Sequence, residues 1–486
     1  MRTAPSLPGL RRGTRWSNFV DTWPAEPVAA YATAPEGAGE AWVREALALA
    51  EREDLRVRAH GSGWSFSRAA AAEGLLLDLR ALRDVVLLDG EDLPAGRAPG
   101  ELVLAGPGAT LTAVCAFVEA RGRSLPVTNG RGGLTLVGAL ATGSHGSAVD
   151  LPPLGDFLAG VALAVASDRV LWVEGARPAV SDAFLRARGW ERVADDGLLA
   201  AAQVHHGCMG VVLAVAMELV PAFDLDHRWS RPPDGPALRA FVRAPASTSP
   251  PGFDEGPPYH ANLVINAHRG DPRLSTGWRV ASTSPPSVNS PAPGPVPPFG
   301  ALLTPIPRAC PAAVGPILNL LIAGAARPPR SRGPLGAIFP ARVPVGYRPV
   351  SQEFALDLQH ADEALDRVLA VLRARPDGFA HPGFVAVRWM VGTRAPLGFT
   401  RFARTITLEL PTLHAPGVER TFDRLREALD DLGAVEHPGQ VNAYDRARLA
   451  ASFGDRLPTW RAARERLLGR AAWRFASAWS DQIGLT

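Results

Sequence analysis

Apolar residues at Trp42, Val43, Ala46, Leu47 and Ala50 fall on a stripe of helical period and predict an amphipathic helix over residues 35–52. The pattern then changes. Leu55, Val57 and Ala59 alternate with polar residues as a half-buried strand would, and the run ends in Gly61-Ser62-Gly63. Short apolar runs at 75–79, 85–88 and 101–105 predict further strands, after which Gly106-Pro107-Gly108 leads into a helix that Thr110 can cap and Gly122 can end. Runs at 158–166 and 211–220 predict two more strands, closed by Pro221. Residues 1–15, with Pro5, Pro8 and scattered arginines, read as a loose arm. Strand, glycine loop, helix and strand in that order predict an α+β domain instead of a helical bundle.

The second half is patterned differently. Pro, Ser and Gly crowd residues 243–300, interrupted mainly by the apolar run 261–266, so this stretch reads as the loop-rich start of a second domain. Strands predicted at 351–358, 384–390 and 405–410, with amphipathic helices at 362–375 and 417–432, predict a sheet covered by helices. After Pro458 a helical stripe of Trp460, Ala463 and Leu467 leads to an aromatic end at Trp473, Phe475 and Trp479. No internal repeat is present, and 486 residues are enough for two unlike domains, each with a core.

Composition narrows the chemistry. The net charge of +3 is small and its arginines are spread, so neither nucleic acid nor a membrane surface is an expected partner. All 51 basic residues are arginine, which removes Schiff-base catalysis and the lysine of a P-loop. Cys115, Cys208 and Cys310 lie far apart, in no disulfide or zinc spacing. With no apolar signal core and no apolar run of about twenty residues, the expectation is a soluble, cytoplasmic protein.

Two glycine-rich runs carry the candidate site. Missing side chains in Arg58-Ala-His-Gly-Ser-Gly-Trp-Ser-Phe66 let backbone N–H groups close on an anion, although an ordinary strand-to-loop turn has the same letters. In Gly138-Ala-Leu-Ala-Thr-Gly-Ser-His-Gly146 small residues leave room for a bulky ligand, or for another segment packed on top. A third glycine turn runs from His205 to Gly210. Its adjacent histidines, on an extended strand, would face opposite ways and find no further ligand, so no metal is expected. His260 and Asn262 share one face of a strand, where they meet either substrate or solvent.

Taken in order, residues 58–66, 134–146, 207–221 and His437-Pro438-Gly439-Gln440 with Asn442 resemble the vanillyl-alcohol oxidase and p-cresol methylhydroxylase (PCMH) superfamily of FAD enzymes, nearest its sugar-lactone and alditol oxidase branch. The resemblance implies an α+β, two-domain flavoprotein: a PCMH-type FAD-binding domain over 16–221, a central α+β cap over 222–432, and a segment 433–486 returning to the first domain. It implies FAD as cofactor, held by His60, Gly61, Ser62, Gly63, Trp64, Ser65, Ala141, Thr142, Gly143, Ser144, His145, Gly146, Gly210 and Val211. The implied reaction is oxidation of a hydroxyl-bearing carbon by hydride transfer to flavin N5. The substrate would be a small alcohol, lactol or natural-product intermediate, and electrons would pass to molecular oxygen or another acceptor.

The sequence departs from the family at two places. Several members hold FAD covalently through a histidine directly after the first glycines, where Trp64 stands, so the flavin is expected to bind without a covalent bond. A Glu-x-Arg pair on a cap strand corresponds here to Ala386-Val387-Arg388, which keeps the arginine and loses the acid. Arg388 cannot act as a base but can stabilise developing negative charge. The proton acceptor is then sought first in His437, and after it in His145 and Glu353. Oxidative cyclisation or desaturation is the alternative reaction in this superfamily, and a catalytically degenerate FAD-binding scaffold is the alternative from another class.

Overall fold

The amphipathic stripe of Glu40–Arg52 buries Trp42, Val43, Ala46, Leu47 and Ala50 in a core shared by two sheets. The computed structural model describes residues 7–130, 132–288, 304–326, 328–339 and 349–486. The first sheet has the order Leu10–Trp16, Glu26–Thr33, Leu75–Asp78, Val57–His60. The second runs Glu191–Ala194, Arg169–Glu174, Leu158–Ala166, Val211–Glu218, Leu102–Ala105, Val85–Leu87. Thr110 caps the helix Leu111–Glu119, its hydroxyl accepting from the Ala113 N–H. The expected loose arm is corrected: Leu10–Trp16 is a strand, antiparallel to Glu26–Thr33. Its arginines face solvent, so no apolar run marks it.

The C-terminal segment joins the same core. Arg456–Leu468 turns Trp460 and Leu467 inward, and Trp460 Nε1 donates to the Ala201 carbonyl at 3.2 Å. Pro458 lies in the first turn of this helix, where a missing N–H is tolerated, and does not interrupt it.

The central part is an eight-stranded antiparallel sheet in the order Arg330–Gly333, Phe223–Ser230, Asp271–Ala281, His260–Asn266, Val385–Val391, Arg404–Leu413, Pro349–Asp357, Val435–Glu436. Side chains alternate between its faces. Leu263, Val387 and Leu408 lie under the helices Pro236–Arg243, Ala361–Ala374 and Val418–Leu429, while His260, Asn262, Ala386, Arg388, Glu353 and Glu409 border a cavity on the other side. Two readings are adjusted. The stretch 243–300 contains the long strand Asp271–Ala281 as well as loops, with residues 289–303 outside the described ones. The segment assigned to the first domain from residue 433 begins as a cap strand, Val435–Glu436, on the edge of the eight-stranded sheet. The α+β class is the one expected.

Candidate active site

Turns distant in sequence are tied together around one cavity of about 900 Å³. Thr135 caps the short helix Leu136–Ala141 by accepting from the Gly138 N–H at 3.2 Å. Gly61 packs so closely on it that a Cβ at 61 would stand 2.2 Å from the Thr135 hydroxyl. Ser62 Oγ donates to the Gly133 carbonyl at 2.7 Å. Ser65 Oγ and the Phe66 N–H both donate to the Gly439 carbonyl at 2.8 Å, and the His206 N–H donates to the Ala141 carbonyl at 2.9 Å. Among the described residues, the N–H groups of Ser62, Gly63, Trp64 and Ser65 donate to no protein acceptor. Successive unsatisfied donors beside a cavity form an anion cradle.

Most of the residues singled out from the sequence border this cavity: His60, Gly61, Ser62, Gly63, Trp64, Ser65, Ala141, Thr142, Ser144, His145, Gly146, Gly210, Arg388 and His437. Gly143 and Val211 do not. Gly143 turns away with φ +75° and faces Val204 and Phe399. Val211 is 1% exposed in the core, and its strand neighbour Val212 faces the cavity instead because side chains alternate. His60 is fixed at both nitrogens, by the Tyr31 hydroxyl at 3.2 Å and the Gly61 carbonyl at 2.8 Å. Trp64 stacks on Phe19, with ring centres 5.0 Å apart and planes 17° apart. His205 and His206 sit in a turn, not a strand, and His206 has φ 48°. Among the described residues no group of three or more His, Cys, Asp or Glu could hold a metal ion.

At the cap wall the polar residues converge. His145 directs Nε2 at Glu353 Oε1, 2.9 Å away, and Nδ1 at the Gly146 carbonyl, 2.8 Å away. Gln440 Nε2 donates to Glu353 Oε2 at 2.9 Å. Arg388 places Nη1 3.4 Å from Glu353 Oε1 and Nη2 2.6 Å from Glu409 Oε2. Burial opposes ionisation of Glu353, but His145, Arg388 and His437 outweigh it and hold the carboxyl well below its usual range.

His437 departs from the role expected of it. Its Nδ1 accepts from the Gly439 N–H at 2.9 Å, so the neutral ring carries its proton on Nε2 and is a donor there. Burial lowers its pKa to about 4 although Glu353 pulls upward, which keeps the ring neutral near pH 7. A neutral imidazole with both nitrogens committed in this way has no lone pair left for a substrate proton.

Sequence reasoning missed Glu409 and the role of Gln440. Glu409 lies in the strand predicted at 405–410, and its Cα partners in the sheet are Ala386 on one side and Glu353 on the other. Only the register of three strands brings it to Arg388, and no local motif carries that information.

The chain's FAD binding domain match covers residues 36–174. L-gulono-1,4-lactone dehydrogenase of Mycobacterium tuberculosis (strain ATCC 25618 / H37Rv) is 25% identical over 449 residues, spanning 92% of this chain and 93% of that protein. Mouse L-gulonolactone oxidase is 27% identical over 214 residues, 44% of this chain and 42% of that protein. A histidine-to-alanine variant of cholesterol oxidase from Brevibacterium sterolicum shares the fold with a TM-score of 0.72 at 15% identity, covering 99% of both chains. The free N–H groups of 62–65 suit a pyrophosphate, and the small residues Ala141, Thr142 and Ser144 along the cavity leave space for an extended dinucleotide. The chain therefore carries an FAD-binding domain and is an FAD-dependent oxidase or dehydrogenase, similar in sequence to sugar-lactone dehydrogenases and oxidases and in fold to cholesterol oxidase.

Proposed function

We propose that the protein oxidises the hydroxyl-bearing carbon of a substrate with a substantial apolar body, using FAD held without a covalent bond. The observation that carries this reading is Arg388, set between two carboxylates on the cavity face of the cap sheet. FAD, when bound, supplies the two-electron acceptor for the C–H bond at its N5. The N–H groups of 62–65 neutralise the pyrophosphate. Arg388 stabilises negative charge growing on the substrate oxygen, and Nε2–H of His437 is the donor that segment 437–440 offers to the cavity. Away from these polar groups the wall is apolar, with Ile306, Val314, Leu318, Ile322, Ile338 and Phe339. Such a wall favours a hydrophobic body over a simple polyol.

Support for non-covalent binding lies in position 64, where an indole stacked on Phe19 stands in place of a linking histidine, and in His60, whose two nitrogens are both engaged. Acid precipitation of the purified holoprotein should leave the yellow chromophore in the supernatant; flavin in the pellet would refute that point. An anaerobic screen of alcohols that follows flavin bleaching tests the reaction. The expected result is faster bleaching as the apolar part of the alcohol grows, and unchanged colour with every hydroxylated compound would overturn the reading.

A further inference from the structure

Ala386 leaves Arg388 without an acid two residues away on its own strand. The sheet supplies two from neighbouring strands. Glu409 pairs in register with Ala386, and Glu353 pairs with Glu409. Directly opposed residues on one sheet face have Cβ atoms about 5 Å apart, so a carboxylate at 409 reaches much of the space that one at 386 would. Like charges directly opposite destabilise a sheet. Here Arg388 lies between the two acids, and His145 adds a second donor to Glu353.

The two acids are not equivalent. Glu353 is 1% exposed; His145 and Arg388 hold its Oε1, and Gln440 holds its Oε2. Its charge is committed to orienting His145 and Gln440. Glu409 pairs with Arg388 through Oε2, and its Oε1 accepts from the Ser351 hydroxyl at 3.1 Å and from Gln440 Nε2 at 3.4 Å; what sets it apart is that its side chain is the more open of the two, 8% against 2% exposed. With Arg388 unable to accept a proton and His437 a donor, the geometry points to Glu409 as the acceptor of the substrate's hydroxyl proton, the reaction's carboxylate having moved one strand across from position 386. This inference rests on the alcohol-oxidation reading above. In the step, the O–H bond breaks with its proton passing to Glu409, and the C–O bond becomes double. The C–H bond breaks with its electron pair leaving as hydride to the oxidised cofactor, which is thereby reduced by two electrons.

The test uses the holoenzyme and the variants Glu409→Gln, Glu409→Ala and Ala386→Glu/Glu409→Ala. With an alcohol that bleaches the parent anaerobically, Glu409→Gln and Glu409→Ala should slow bleaching about a hundredfold or more, the scale of a lost general base. Returning a carboxylate to Arg388's own strand in the double variant should recover at least roughly tenfold of that loss, again on the scale of general-base catalysis. The fall in bleaching rate on acidification should vanish in Glu409→Gln. Sulfite affinity of the oxidised flavin, a readout independent of turnover, should rise in Glu409→Gln, where Arg388 loses a counter-charge, and return toward the parent value in the double variant. Bleaching of Glu409→Gln within threefold of the parent, or a double variant that matches Glu409→Ala in both rate and sulfite affinity, overturns the assignment. A parent that no alcohol bleaches overturns the oxidation reading itself, and the assignment with it.

Discussion

His437 offers a quantitative check on the electrostatics of the site. Burial lowers its pKa to about 4 in the folded protein, whereas an unfolded histidine titrates near 6.5. The unfolded chain therefore binds more protons between these values. The stabilisation associated with the neutral ring is complete above about pH 6.5 and is lost as pH falls toward 4. Lowering the pH from 7 to 5 costs about 2 kcal/mol through this one group. His205, lowered to about 4 by burial and then by Arg58, and His206, lowered to about 3 by burial and then by His205 and Arg58, respond in the same direction, so the parent's total loss exceeds that of His437 alone. His437→Asn isolates the increment, because its amide oxygen can still accept from the Gly439 N–H while the side chain no longer titrates. Urea unfolding of both holoproteins at pH 7 and pH 5 gives a difference of differences in which any cost of the substitution at pH 7 cancels. The variant should lose about 2 kcal/mol less than the parent over that interval. Equal losses would mean that His437 is solvated or charged in the folded state, and the buried, neutral ring assigned to it would fall.

Two other changes probe how the site is held. Gly146→Ala places a Cβ 2.5 Å from the Thr128 carbonyl oxygen, backbone that cannot swing aside, so the 142–146 turn must shift. FAD affinity should fall about tenfold or about 1.4 kcal/mol, read as flavin released on dialysis, while unchanged retention would show the turn to be compliant. Trp460→Ala removes a fully buried ring and its bond to the Ala201 carbonyl. Unfolding free energy should fall by about 3–5 kcal/mol, and a loss under about 1 kcal/mol would mean that the C-terminal helix is dispensable to the first core.

What could be read from the sequence was local in origin. The Glu40–Arg52 helix and the strands Leu158–Ala166 and Leu75–Asp78 announce themselves because apolar period and burial coincide over consecutive residues. The anion cradle was legible for a similar reason, since a turn that exposes N–H groups and admits a close neighbour requires glycine at the place itself. Leu10–Trp16 was not, because an edge strand with outward arginines has no apolar signature. The side chain of Val211 faces the core and that of Val212 the cavity, a difference of one residue that on a strand decides the face. The histidine pair 205–206 was given a strand's geometry although it occupies a turn.

The acid at the cap wall shows the limit more sharply. Reading one strand, Ala386-Val387-Arg388 looks like a site that has lost half its machinery, and a degenerate protein follows from that reading. Reading three strands, the arginine keeps a carboxylate 2.6 Å away, delivered by a chain segment twenty-one residues further on (409 less 388). The same register that supplies Glu409 supplies Glu353, and a slip of one residue in Arg404–Leu413 would turn Glu409 into the helix-covered core and Leu408 or Leu410 into the cavity. The chemistry of this cavity is thus fixed by the hydrophobic face of the sheet: Val387, Leu408 and Phe354, packed under the helices, set the pairing, and the pairing places the charges. A substitution in that apolar layer that altered the register would remove the acid without touching it.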